Sequence, residues 1–229
     1  MNRNIGIILL CATIAESGFS EPSTNYPTLK FPPVDGNHVL VANSSAIVTP
    51  AMLQHFHERM MPLVRIPTVY TNAVAGKSVF GDVEELMKDE KVRALILIVD
   101  SDTLPAILTA PESAWVVFNP RRHCTDLAEI EKNASRIDKE LWRCFGYVLG
   151  CSNANFPSCV MKSVSTTEDL DSIKGKRLAP ESFNKVFRHA RFLGIERMTP
   201  ILLDKDGNPI QIPSQAAATN APAAAAPAK

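Results

Sequence analysis

The run from Val92 to Asp100 reads Val-Arg-Ala-Leu-Ile-Leu-Ile-Val-Asp and constrains this chain more than any other stretch. It is rich in branched apolar residues, which favour extended backbone. It does not alternate apolar with polar, so it reads as a strand covered on both faces, the environment of a parallel sheet with helices on each side. Further strands are expected at 38–43, at 64–70 (broken or edged by Pro67) and at 114–119. Between them lie helical signals. Thr49 and Pro50 supply an N-cap and a first-turn proline, followed by Met52, Phe56, Met60 and Leu63 on one stripe. A short helix is expected over 82–89. A longer one starts at Asn133 or Ser135 and runs to about Leu149, burying Ile137, Leu141, Phe145 and Val148. A last one spans 180–193. Strands alternating with helices predict an α/β or α+β sandwich.

Lys plus Arg and Asp plus Glu balance at 24 each, so no basic field exists to attract nucleic acid or anionic lipid. Residues 1–20 read as a signal peptide: Arg3, an apolar core from Ile5 to Ala15, then Gly18 and Ser20 before Glu21. That core is too short to span a bilayer, and no later stretch is long and apolar enough. Ile8, Leu9 and Leu10 are not the small residues expected before a lipidated Cys11. The expected location is therefore secreted or periplasmic. Residues 21–37 read as an extended proline-rich leader, 38–213 as a single domain, and 214–229 as a disordered Ala/Pro-rich tail. Cleavage leaves Cys124, Cys144, Cys151 and Cys159, four candidates for disulfides or for buried free thiols.

The candidate functional stretch runs from Arg143 to Ser182. An apolar helix stops at Gly150, a residue that tolerates a left-handed terminus, and Cys159-Val160-Met161 follows after a short loop. Metzincin peptidases carry His-Glu-x-x-His-x-x-Gly-x-x-His on a helix and its following turn, then a methionine-bearing turn. Two histidines four apart share a helix face and one zinc, the glycine brings in the third, and the glutamate activates zinc-bound water. This chain resembles one branch of that clan, the archaemetzincins, whose pattern continues His-Cys-x4-Cys-x-Met-x17-Cys-x-x-Cys. Without a gap, the three histidines fall on Arg143, Tyr147 and Asn153, the glutamate on Cys144 and the glycine on Gly150. The four cysteines of the second zinc site fall on Ala154, Cys159, Ala179 and Ser182, and the Met-turn methionine on Met161. The resemblance implies a three-layer metzincin-like domain over residues 38–195 with a mixed, mostly parallel sheet, and zinc as the cofactor of the active relatives.

The departures set the functional expectation. A guanidinium stays charged at any workable pH. Within about 4 Å of a divalent ion, at an effective dielectric near 20, it repels by roughly 8 kcal/mol. That removes a large share of the ~10–16 kcal/mol a structural zinc site supplies. Neither metal site is expected to function, and no cofactor is predicted. Arg143 requires a buried carboxylate partner, with Glu140 one turn earlier as the candidate. The expected role is a catalytically inactive, peptide- or protein-binding module, with an extended peptide pairing along strand 114–119. Four other readings are open: a peptidase with a non-standard zinc site, a thiol-dependent peptidase pairing Cys144 with His123 or His189, a metal site rebuilt from His123, Cys124, Cys144, Cys151 and Cys159, and a scaffold with an unused cleft.

Overall fold

The computed structural model describes residues 28–110, 113–154, 156, 159–204 and 206–210. The expected signal peptide and the expected tail at 214–229 lie outside the described residues. The elements in chain order are β1 (Thr28–Lys30), β2 (His38–Asn43), α1 (Pro50–Val64), β3 (Thr68–Asn72), α2 (Val79–Leu86), β4 (Val92–Ile98), β5 (Ile107–Thr109), β6 (Trp115–Phe118), α3 (Ile130–Val148), α4 (Thr167–Ser172), α5 (Pro180–Phe192) and β7 (Ile201–Leu203). They fall into two compact units. In the smaller one, β1 from the expected leader pairs antiparallel with β7.

The larger unit, described from Pro33 to Thr199, holds a five-stranded sheet in the order β3-β2-β4-β6-β5. The first four strands are parallel and β5 is antiparallel to β6. From β2 the chain steps outward to β3 through α1, then returns past β2 to β4 through α2. Crossovers of one hand in opposite directions place their helices on opposite faces. The side chains follow. Leu40, Ala42, Leu95, Leu97 and Val117 pack with Val83 of α2. Their neighbours in the period-two alternation, Val39, Val41, Ile96, Ile98, Val116 and Phe118, are equally buried on the face covered by α1 and α3. Phe56 of α1 meets Trp142 and Phe145 of α3 edge to face, at ring-centroid separations of 5.4 and 6.4 Å.

Several sequence expectations shift: α2 runs from Val79 to Leu86 instead of over 82–89, and α3 starts at Ile130 instead of at Asn133 or Ser135. Val64 ends α1 instead of opening β3: Arg65 takes a left-handed cap at φ 57° and donates to the Met61 carbonyl, so pairing starts only after Pro67. More consequentially, strand 114–119 is not an edge. Its core, β6, is bonded to β4 on one side and to β5 on the other, so its backbone is unavailable to an added peptide. The edge on that side is β5, a three-residue strand.

α3 is the element that positions the candidate site. Thirteen of its 19 residues are buried, charged ones among them. Gly146 lies where an added Cβ would come within 2.6 Å of the Met161 Sδ, so the helix and the 159–162 turn touch at a spot with no room for a side chain. Gly150 has φ +78° and closes the helix: its N–H donates to Tyr147 O and that of Cys151 to Gly146 O.

Candidate functional site

Helical spacing puts Glu140, Arg143 and Tyr147 on one face of α3. Arg143 is held at every corner. Its Nε donates to Glu140 Oε2 at 3.0 Å, Nη1 donates to the carbonyls of Val160 (3.0 Å) and Lys162, and Nη2 donates to the Tyr147 hydroxyl at 3.1 Å. The guanidinium carbon lies 5.6 Å from the Tyr147 ring centroid. Tyr147 in turn donates to Asn153 Oδ1 at 2.5 Å. Arg143, Tyr147 and Asn153 are thus brought together and joined by hydrogen bonds, Glu140 at one end and the exposed Asn153 at the other.

Burial pushes the Glu140 carboxyl up from its ordinary range, and the adjacent Arg143 pulls it back down. The other Glu140 oxygen lies 3.6 Å from His123 Nε2, a buried nitrogen with no hydrogen-bond partner among the described residues. His123 Nδ1 sits 3.1 Å from Thr167 Oγ1. Burial lowers the His123 pKa, and the Arg143 and Arg136 cations lower it further. Arg136 fixes this corner by a two-point contact with Asp171, at 2.8 and 2.6 Å, and a bond to His123 O. Motif spacing misses the approach of His123 to Glu140 and Thr167, because the three lie on separate segments of the chain, Thr167 at the start of α4.

Beneath the helix, Cys159, Val160 and Met161 form a turn closed by Lys162 N donating to Cys159 O. Met161 is fully buried against Gly146. Cys159 Sγ accepts from Met161 N (3.5 Å) and Ala179 N (3.4 Å) and lies 3.7 Å from Ser182 Oγ. Ala154 N donates to Met161 O at 2.9 Å. Positions Cys159, Ala179 and Ser182 therefore converge, with weak hydrogen bonds to one sulfur between them. Cys151 joins this cluster by donating to Ser182 O.

The donor set does not fit zinc at either place. The first offers a guanidinium, a phenol that burial makes still harder to ionise, and a carboxamide. The second offers one thiol with a hydroxyl and two alanines. Among the described residues no three His, Cys, Asp or Glu side chains gather to hold an ion, so the rebuilt site from His123, Cys124, Cys144, Cys151 and Cys159 does not assemble. The four cysteines among the described residues, Cys124, Cys144, Cys151 and Cys159, are buried free thiols. Cys144 has no hydrogen bond to His123 or His189 among the described residues, and burial drives its thiol well above the ordinary value. His189 instead packs against Gly150 and Phe192. No described helix is long and apolar enough to cross a membrane.

No protein-family model matches the sequence, and a comparison with curated proteins finds no match. Solved structures do match. Archaemetzincin from Methanopyrus kandleri superposes with a TM-score of 0.50 at 14% identity, over 68% of this chain and 96% of that one. A zinc-dependent peptidase from Methanocorpusculum labreanum gives 0.47 at 15% identity, over 66% and 100%. At such identities the likeness is one of fold: the chain has an archaemetzincin-like α/β fold.

Proposed function

We propose that this chain is an exported relative of the archaemetzincins that binds extended peptides without hydrolysing them. The observation that supports the reading is the buried Glu140–Arg143 pair, Arg143 being the residue on which motif spacing sets the first metal ligand. An ion entering there would displace a buried cation from a carboxylate, two carbonyls and a phenol, and leave Arg143 unmatched. Stranding a buried charge in this way costs about 3–5 kcal/mol. Loss of catalysis follows from the loss of the ion and of the glutamate, whose position holds the inert Cys144. Export is supported by the signal-like residues 1–20.

Peptide binding moves from the strand expected at 114–119 to the free edge of β5. Asn119 N donates to Ala106 O, so by antiparallel alternation Leu108 bonds inward to Val117, and the N–H groups of Ile107 and Thr109 point outward. A peptide adding there gains backbone hydrogen bonds at a sheet edge beside β6, which packs against α3. The test is a fluorescent pool of blocked decapeptides, followed for both retention and cleavage. Retention without chelator-sensitive cleavage is expected, weakened by Ile107→Pro, which removes one outward N–H donor and no hydrogen bond to β6. Cleavage abolished by chelator sinks the reading.

A further inference from the structure

We propose that Arg143 and Asn153 form a subsite for an oxygen acceptor, either a peptide carbonyl or a carboxylate. A guanidinium carries five N–H donors and no acceptor. Four of those on Arg143 are used: Nε by Glu140, both on Nη1 by Val160 O and Lys162 O, and one on Nη2 by Tyr147. The fifth, also on Nη2, has no partner among the described residues. Tyr147 accepts from Arg143, so its own hydrogen is directed to an oxygen, and this fixes the Asn153 carboxamide with Oδ1 toward the phenol. The Nδ2 group of Asn153 then carries two donors with no partner among the described residues, on an exposed side chain.

Unmet donors therefore flank one phenol oxygen that is bonded to both residues. Of the acceptors nearby, Glu140 Oε2 accepts from Nε and Val160 O and Lys162 O accept from Nη1, while Glu140 Oε1 is buried beside His123. A ligand oxygen finds unmet N–H donors, whereas an ammonium or amide N–H meets, among the described residues of this cluster, oxygens that already accept a bond or are buried. Because Glu140 already matches the Arg143 charge, the subsite does not require an anion, and a neutral carbonyl suits it as a carboxylate does. For its physiological ligand the proposal rests on the peptide-binding reading; its chemistry rests on the donor count alone.

The experiment is a titration of the isotope-labelled mature protein with N-methylacetamide, with acetate and with methylammonium, following the Asn153 Nδ2 and Arg143 Nη resonances. Saturable shifts with the amide, with acetate or with both are expected, and none with methylammonium; which oxygen compound binds identifies the source. Asn153→Asp keeps Oδ1 for Tyr147 and replaces only the donor end, so it weakens acceptor binding by at least about tenfold. No saturable shift from either oxygen compound, equal binding of methylammonium, or unweakened binding by a folded Asn153→Asp protein overturns the proposal. Retention of small acceptors by a protein that holds no decapeptide defeats the β5 reading and leaves this one standing.

Discussion

The Arg143 guanidinium meets the Glu140 carboxylate at 3.0 Å, one helical turn apart, with only 4% and 1% of the two side chains exposed. A pair so buried is worth little relative to an apolar pair of similar volume, yet breaking it is costly. Glu140→Gln should therefore lower unfolding stability by about 3–5 kcal/mol, read from urea denaturation midpoints. Joint replacement by Leu at 140 and Met at 143 should recover most of that loss. A Glu140→Gln protein as stable as the parent contradicts the pairing.

Gly146→Ala tests the contact between α3 and the turn below it. Alanine gains about 1 kcal/mol of helix propensity over glycine. Here its Cβ meets Met161 Sδ at 2.6 Å and Leu178 Cδ2 at 3.2 Å, and both of those residues are buried. Overpacking of about 1–3 kcal/mol should outweigh the gain, giving a net loss in thermal unfolding. A more stable variant means that the turn gives way freely.

Acid should weaken the fold through His123. Its folded pKa lies below the ordinary 6.5, so the unfolded chain takes up a proton first as pH falls. The stability contributed is present above about 6.5 and lost below it. His57, also lowered by burial, adds the same sign. Glu140, raised by burial, adds the opposite sign at lower pH. Denaturation midpoints measured on either side of about pH 6.5 should fall with acid, and fall less in His123→Gln. An equal fall in that variant removes His123 from the account.

Cys124, Cys144, Cys151 and Cys159 should resist dithionitrobenzoate in the native protein and all react after denaturation. Burial holds Cys124 and Cys151 at about 11, and Cys144 well above its ordinary value, so little thiolate forms. Fewer than four reactive thiols in the unfolded protein points to disulfides.

What could be read from the sequence follows from how each element is stabilised. The run at 92–99 announced β4 because burial on both faces leaves an unbroken apolar string. The end of α3 was legible because Gly150 takes a conformation few residues adopt. Its start was not: Asn133 uses its side chain to bind Asp126 O from inside the helix, which begins at Ile130 without a side-chain cap. β5 has three residues and no periodicity, so β6 looked like an edge. The meeting of Arg143, Tyr147 and Asn153 was legible because residues four apart share a helix face and Gly150 turns the chain back. His123 was named only as a partner for cysteines, since nothing in one dimension reports that it lies between Glu140 and Thr167 at the start of α4.

The most direct measurement is the zinc content of the purified mature protein after dialysis against a trace of the metal, by elemental analysis alongside peptidase activity. Far less than one equivalent, with unfolding unaltered by chelator, is the result expected of a guanidinium locked in place by Glu140. One equivalent held tightly, and lost together with an activity when chelator is added, contradicts the account.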